Sequence, residues 1–181
     1  MKIAAIAGSL RKDSYNKKLL INALSFLKDQ DVDLIDLKSL ALPVYDFDMQ
    51  VAGFPNAVNE LSTRIKSADA LVIATPEYNH GIPGGLKNAI DWISRSPEKP
   101  LHNKTAFIMG ASTGGFGAIR GIYALRQTLV IFNIITIPQS VMLSFADKAF
   151  DENGKLKDEK ILAQLKTGCE EMVRITRALK R

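Results

Sequence analysis

Three short segments of this sequence concentrate residue types suited to holding a ligand. The first reads Gly8-Ser9-Leu10-Arg11-Lys12-Asp13-Ser14-Tyr15-Asn16 and runs straight into a segment with helical spacing. A helix start offers free N–H groups and the positive end of the dipole, which together hold an anion. Ser9, Ser14 and Asn16 add hydrogen bonds and Arg11 adds charge, so the segment reads as a phosphate cup. The plainer reading is a helix cap with scattered polar residues. The second segment reads Thr75-Pro76-Glu77-Tyr78-Asn79-His80-Gly81-Ile82-Pro83-Gly84-Gly85. Its prolines fix the backbone and its glycines admit something flat, while Tyr78 can stack. An ordinary turn with a tyrosine at its tip is the alternative. His80 is an acid or base by type, although a lone loop histidine is more often a hydrogen-bonding bystander. The third segment, Ala111-Ser112-Thr113-Gly114-Gly115-Phe116-Gly117, suits close approach of backbone to a planar ligand, with Ser112 as a polar contact. A flexible connector is its plainer reading.

The first segment also excludes several kinds of phosphate chemistry. A dinucleotide fingerprint needs G-x-G-x-x-G at this turn, and only Gly8 is present. Asp36, at the end of the second apolar run, resembles a ribose-binding acid but stands alone. A Walker A loop needs Gly-Lys-Ser/Thr, a tyrosine-phosphatase loop needs a cysteine, and a response-regulator site needs paired acids. None is found here, and Cys169 lies far away in the chain. A terminal phosphate that is held and not reacted remains, and the phosphate of FMN fits.

These segments need a scaffold. Short apolar runs recur at Ile3–Ala7, Val32–Ile35, Ala70–Ala74, Thr105–Ala111 and Ile134–Ile137. Continuous runs of this length suit parallel strands covered on both faces, and Val32-Asp33-Leu34-Ile35 alternates at its start as a strand nearer an edge does. Between them, Leu20, Ala23, Leu24 and Leu27 share a helical face, as do Val58, Leu61, Ile65 and Ala68 after Pro55. Leu86, Ala89, Ile90 and Ile93 form another stripe, entered through Pro83. Gly121–Phe132 is an apolar helical segment. Ile161, Leu165, Met172, Val173 and Leu179 mark a long C-terminal helix with Asp158 as its N-cap. Strands alternating with helices predict an α/β fold: a single doubly wound three-layer sandwich over 1–181, with a five-stranded parallel sheet in the order 2-1-3-4-5. Leu42–Phe54 and Phe145–Lys157 are expected to be loops, the latter with a turn at Asn153-Gly154. Ligands in such sheets bind beyond the carboxyl ends of the strands, at the switch in strand order, which is where the three segments fall.

Composition agrees. The chain has 181 residues, 46% of them hydrophobic and 24% charged, with one cysteine and two histidines. A chain this long buries roughly 70% of its unfolded surface without staples. A disulfide framework and a Cys-based zinc cluster are excluded, and a His-rich metal site is not expected. The 24 Lys and Arg against 19 Asp and Glu leave a charge of +5. With no basic run longer than a pair, this predicts a bias toward anionic ligands and no nucleic-acid surface. No run approaches the ~20 apolar residues of a membrane helix. Lys2 and Ile3–Ala7 are too short for a signal sequence, whose apolar core needs about 7–15 residues. A cytoplasmic protein with no membrane partner is expected.

The first segment resembles the G-S-x-R-x-x-S-x-N phosphate loop of the NAD(P)H-dependent FMN reductases. Pro76-Glu77-Tyr78-Asn79, followed by Gly81-Ile82-Pro83-Gly84, resembles that family's P-E-Y-N flavin loop. The two motifs together, in this order and spacing, are specific. The family includes quinone, azo-dye and chromate reductases and has the flavodoxin-like fold. The resemblance implies that Ser9, Arg11, Ser14, Tyr15 and Asn16 hold the FMN phosphate. It implies that Pro76, Glu77, Tyr78 and Asn79 border the isoalloxazine, largely through backbone groups, and that Ser112, Gly114 and Gly115 close its other side. It also implies a homodimer or homotetramer with the flavin near a subunit interface. The helix carrying Trp92 and Ile93 is a candidate interface, with core packing as the equal alternative.

Two main functions follow from this reading. One is an enzyme passing hydride from NADPH or NADH through bound FMN to quinone, azo, metal-oxyanion or free-flavin acceptors in a ping-pong cycle, with flavin N5 carrying the chemistry and no catalytic side chain. The other is a flavodoxin-like electron carrier reduced by a partner protein. Such carriers tend to be acidic and to lack an arginine in the phosphate loop, so Arg11 and the positive charge favour the enzyme. A phosphoester hydrolase of the same architecture lacks a visible nucleophile with a partnered base.

Overall fold

The computed structural model describes residues 1–180. Five strands form one parallel sheet: β1 (Lys2–Ala7), β2 (Asp31–Ile35), β3 (Ala70–Ala74), β4 (Thr105–Ala111) and β5 (Ile135–Leu143). Their order is β2-β1-β3-β4-β5, as the alternation of apolar runs predicts. β1 is central enough to pair on both sides, Ile3 lying opposite Val32 of β2 and Ala70 of β3.

The side chains of each strand alternate between two cores. Ala4, Ile6, Leu71, Ile73, Ala106 and Ile108 face α4 (Asn56–Ser67), α5 (Gly84–Ser94) and α6 (Ile119–Val130). Ile3, Ala5, Val72, Phe107 and Met109 face α1 (Tyr15–Leu24) and α7 (Glu159–Leu179). Asp158 caps α7, its carboxylate accepting the Lys160 N–H at 2.8 Å. Each fully buried Leu or Ile contributes about 1.5–3 kcal/mol, and both faces of β3 and β4 are filled this way. β2 is an edge strand, and its half-exposed pattern accounts for its alternation in sequence.

Two expectations are corrected, and one pair of alternatives is decided for two side chains. The segment Leu42–Phe54 is not wholly a loop: it contains the short helix α3 (Phe47–Ala52), nucleated by the Asp46 carboxylate, which accepts the Met49 N–H at 2.9 Å. A four-residue turn of helix, α2 (Leu37–Leu40), precedes it, capped by Asp36. The fifth strand extends well past Ile137, because a shift of register between Ala106 and Ile108 lets β5 resume pairing at Ser140. Arg126 holds that irregularity, its guanidinium donating to the Thr136 and Ser140 hydroxyls and to the carbonyls of Ile137 and Gln139. Of the two readings of Trp92 and Ile93, these side chains take the core one. Trp92 is fully buried, donates its indole N–H to the Pro43 carbonyl at 2.8 Å and takes Tyr45 edge-on at 5.1 Å. The segment after β5 is a loop as expected, with Gly154 at φ +77° in its turn.

The order of the sheet sets the position of a cleft. The chain leaves β1 for α1 on one face and leaves β3 for α5 on the other, so the two loops diverge beyond neighbouring strands.

Candidate functional site

The first loop begins where the Gly8 N–H donates to the Ala74 carbonyl at 2.8 Å, tying the ends of β1 and β3 together. A Cβ on Gly8 would stand 2.9 Å from a Leu86 methyl, so α5 packs directly on this turn. The loop ends at Ser14, the N-cap of α1, whose hydroxyl oxygen accepts the Lys17 N–H at 3.2 Å. The N–H groups of Ser14, Tyr15 and Asn16 meet no acceptor among the described residues. No acidic side chain occupies the first turn of α1. This end of the helix is therefore a set of aligned donors with a positive dipole and nothing to neutralise it. Arg11 adds a guanidinium 5.5 Å from the centre of the Tyr15 ring, which itself stacks on Phe150.

Asn16 is buried, and its side chain is committed elsewhere. Its Nδ2 donates to the Ala111 carbonyl at 3.0 Å and its Oδ1 accepts the Ala111 N–H at 2.9 Å. The first loop is thereby fixed to the end of β4.

The second loop turns sharply at Asn79-His80. Tyr78 and Gly81 exchange both backbone hydrogen bonds, at 3.2 and 3.0 Å. Asn79 and His80 lie at φ +49° and +65°, the pattern of a type I′ turn. Tyr78 is left half exposed. Glu77 faces inward: its carboxylate accepts the N–H groups of Arg120 and Gly121 at 2.8 and 3.3 Å and pairs with the Arg120 guanidinium at 3.3 Å. Burial alone would raise the Glu77 carboxyl, but these donors at the start of α6 outweigh it and hold the pKa below its ordinary value. His80 approaches the same carboxylate at 3.6 Å with its ring largely in solvent.

The third loop is latched to the chain after β5. The Ser112 N–H donates to Leu143, Ala146 returns a bond to Ser112, and the Ser144 hydroxyl donates to Gly115. The Ser112 oxygen accepts the Gly114 N–H at 3.1 Å, leaving its own proton free to donate.

These loops enclose one cleft of about 200 Å³. From the first loop it takes Ser9, Arg11, Ser14, Tyr15 and Asn16; from the second, Pro76, Glu77 and Tyr78; from the third, Ser112. Asn79, Gly114 and Gly115 lie outside this lining, Asn79 at the tip of its turn. Ala111 and Thr113 line the cleft and were not singled out from sequence; neither side chain carries a functional signature. Cys169 is buried in α7, its thiol pushed up to about 12 by desolvation, so it plays no part here. Among the described residues no cluster of His, Cys, Asp or Glu could hold a metal ion. No described helix is long and apolar enough to cross a membrane.

Comparison with known proteins bears on what the cleft holds. The family model described as NADPH-dependent FMN reductase matches residues 1–148. The chain is 45% identical over 162 residues to an NAD(P)H-dependent FMN reductase of Pseudomonas aeruginosa, covering 88% of this chain and 86% of that one. It is 38% identical over 169 residues to a quinone reductase of Escherichia coli strain K12, covering 91% and 89%. Its structure superposes on a flavoenzyme NAD(P)H:acceptor oxidoreductase of Paracoccus denitrificans with a TM-score of 0.87, at 30% identity over 98% of this chain and 97% of that one.

Proposed function

Because the chain belongs to the NADPH-dependent FMN reductase family and is an NAD(P)H-dependent flavoenzyme, we propose that the three-loop cleft is its FMN site and that quinones and similar small acceptors are its substrates. The observation that carries this reading is the start of α1, where the N–H groups of Ser14, Tyr15 and Asn16 have no partner among the described residues and Arg11 stands beside them. A phosphate monoester supplies the acceptors those donors lack.

Bound FMN would supply the hydride and electron chemistry that the side chains lack, and one open pocket would serve donor and acceptor in turn, in a ping-pong order. The chain's own residues hold and orient. Ser9, Arg11, Ser14, Tyr15 and Asn16 form the phosphate end, Asn16 through its backbone N–H. Pro76, Glu77, Tyr78 and Asn79 border the ring, and the Glu77 carboxylate faces α6. Ser112, Gly114 and Gly115 close the opposite side, where the Ser112 proton and the Thr113 N–H are available to polar edge atoms. Fixed N–H donors of this kind stabilise negative charge where it develops. No side chain is required as a catalytic acid or base.

The acceptor range follows from an open pocket of fixed dipoles, which admits quinones, azo compounds, metal oxyanions and free flavin alike. The naming of relatives as quinone reductase supports the first of these. Exposed Tyr78 at the cleft and exposed Phe116 and Phe145 on the third loop and the chain after β5 support a homodimer or homotetramer that buries them. Sedimentation velocity tests the assembly. An anaerobic titration tests the site: protein loaded with FMN and freed of excess should retain flavin and bleach rapidly with NADPH or NADH. Failure to retain flavin would overturn the assignment of the cleft, and retained flavin that neither donor bleaches would overturn the reductase cycle.

A further inference from the structure

A second cavity, of about 370 Å³, opens beyond the ends of β1 and β2. It meets the three-loop cleft at Ser9 and Arg11, which line both. Four cations surround it: Arg11 and Lys12 from the first loop, Lys17 from α1 and Lys38 from α2. The one carboxylate on its wall, Asp36, faces Lys17 at 3.9 Å and accepts the Lys38 N–H at 3.0 Å. Arg11, Lys12 and Lys38 pair with no carboxylate among the described residues. Between the charges lie Leu10 and Leu34, both 42% exposed. With Arg11 turned to the phosphate end of the neighbouring cleft, the cavity therefore combines two uncompensated positive charges, Lys12 and Lys38, one hydrogen-bond acceptor at the end of the second strand and an apolar surface.

We propose that this cavity binds the adenosine 2′-phosphate end of NADPH and sets a preference for NADPH over NADH. The proposal rests on the reading of the neighbouring cleft as the flavin site, since it is the shared wall at Ser9 and Arg11 that lets one donor molecule reach from one cavity into the other. Each element has a counterpart in the ligand. The ribose phosphate carries the negative charge that Lys12 and Lys38 lack, the adenine offers a flat face to Leu10 and Leu34, and a ribose hydroxyl can donate to Asp36. Asp36 by itself would repel a 2′-phosphate through its charge. Here Lys17 and Lys38 flank that acid and the balance of charge reverses. Lys12 and Lys38 act as specificity residues and take no part in holding the flavin.

The test is a calorimetric titration of the FMN-loaded protein with adenosine 2′,5′-bisphosphate, with ADP and with inorganic phosphate, repeated on the Lys12→Ala/Lys38→Ala double variant. The bisphosphate should bind roughly tenfold more tightly than either other ligand, and the double variant should lose about that factor, as removal of two partly exposed ion pairs predicts. In turnover the double variant should lose the same factor in kcat/KM for NADPH and keep its value for NADH. Equal binding of bisphosphate and ADP overturns the proposal. So does phosphate binding as tightly as the bisphosphate, which would make this a bare anion site, or an unchanged NADPH-to-NADH ratio in the double variant. Flavin retention and bleaching by NADH judge the neighbouring cleft separately. A protein that holds no flavin but binds the bisphosphate through Lys12 and Lys38 would overturn that reading and leave this subsite standing.

Discussion

Asn16 and Ala111 form a closed hydrogen-bonded pair across 95 residues of chain, the amide of one matching the backbone N–H and C=O of the other at 2.9 and 3.0 Å. The pair joins the loop after β1 to the end of β4 inside the protein, where water cannot replace it. Asn16→Ala strands two buried backbone groups, each costing about 1–3 kcal/mol. The melting temperature should fall by roughly 5–15 °C, and FMN should be held less well because the start of α1 is no longer anchored. Asn16→Asp should be no milder, since it sets a carboxylate oxygen against the Ala111 carbonyl. Thermal unfolding with and without FMN reads both. A variant as stable as the parent would remove Asn16 from the account of the site.

The Glu77 carboxylate ties the second loop to the start of α6, and its pKa lies below the ordinary value of 4.5. A carboxyl depressed in the folded state contributes stability that is fully present above its unfolded pKa and is lost as pH falls through the folded one. That contribution should therefore fade below about pH 4.5. Glu77→Gln should lower stability at neutral pH and flatten the acid limb of the stability profile. Chemical denaturation of both proteins across pH 3–7 decides it, and parallel profiles would show that the carboxylate does not carry this pH dependence.

Much of this was legible in the sequence, and what escaped has a physical pattern. Ile3–Ala7, Ala70–Ala74 and Thr105–Ala111 are strands buried on both faces, so hydrophobicity alone marks them. The start of α1 was legible because the polar run ending in Ser14 supplies the hydroxyl that a helix N-cap favours. α3 escaped because none of its residues is buried, so no periodic stripe announces it and only the Asp46 cap does. The extension of β5 depends on Arg126, which lies on another element and has no local signature. The pairing of Asn16 with Ala111 escaped for the same reason, as its partner is a backbone.

Gly117 sits at φ +55°, and a Cβ there would stand 2.5 Å from the backbone of Met142. Neither the left-handed conformation nor the contact with backbone can relax cheaply. Gly117→Ala should cost about 2–4 kcal/mol and loosen the third loop from its latch at Leu143 and Ser144. Flavin affinity should fall with it, read by equilibrium dialysis of FMN at a temperature where the variant is folded. Full affinity in a destabilised variant would detach this loop from the site.

Cys169 is fully buried, its thiol donates to the Ala23 carbonyl at 3.5 Å, and its pKa is pushed up to about 12 by burial. A thiol in this state is neither nucleophile nor redox centre at neutral pH. The folded protein should resist thiol reagents that modify it fully in denaturant. Cys169→Ala should keep its turnover and lose about 1–2 kcal/mol of stability through the small cavity left under α7. Rapid modification of the native protein, or loss of turnover in a stable variant, would contradict this.

Arg11 separates binding from folding more cleanly than any other residue of the cleft. Its side chain is exposed and forms no salt bridge among the described residues, and its guanidinium lies 5.5 Å from the centre of the Tyr15 ring. Removing it should therefore change stability by no more than about 0.5 kcal/mol. A phosphate at the start of α1 would nevertheless lose a charge-assisted partner, so Arg11→Ala should weaken FMN binding roughly tenfold. Arg11→Lys should recover only part of that, because an ammonium keeps the charge and loses the fork that meets two phosphate oxygens at once. The affinity of the parent should also fall more steeply with salt than that of Arg11→Ala. Fluorescence titration of FMN at two ionic strengths measures all of these. If the three proteins bind alike and respond alike to salt, the anion held at this helix start is not gripped by Arg11, and the donors of the loop hold it alone.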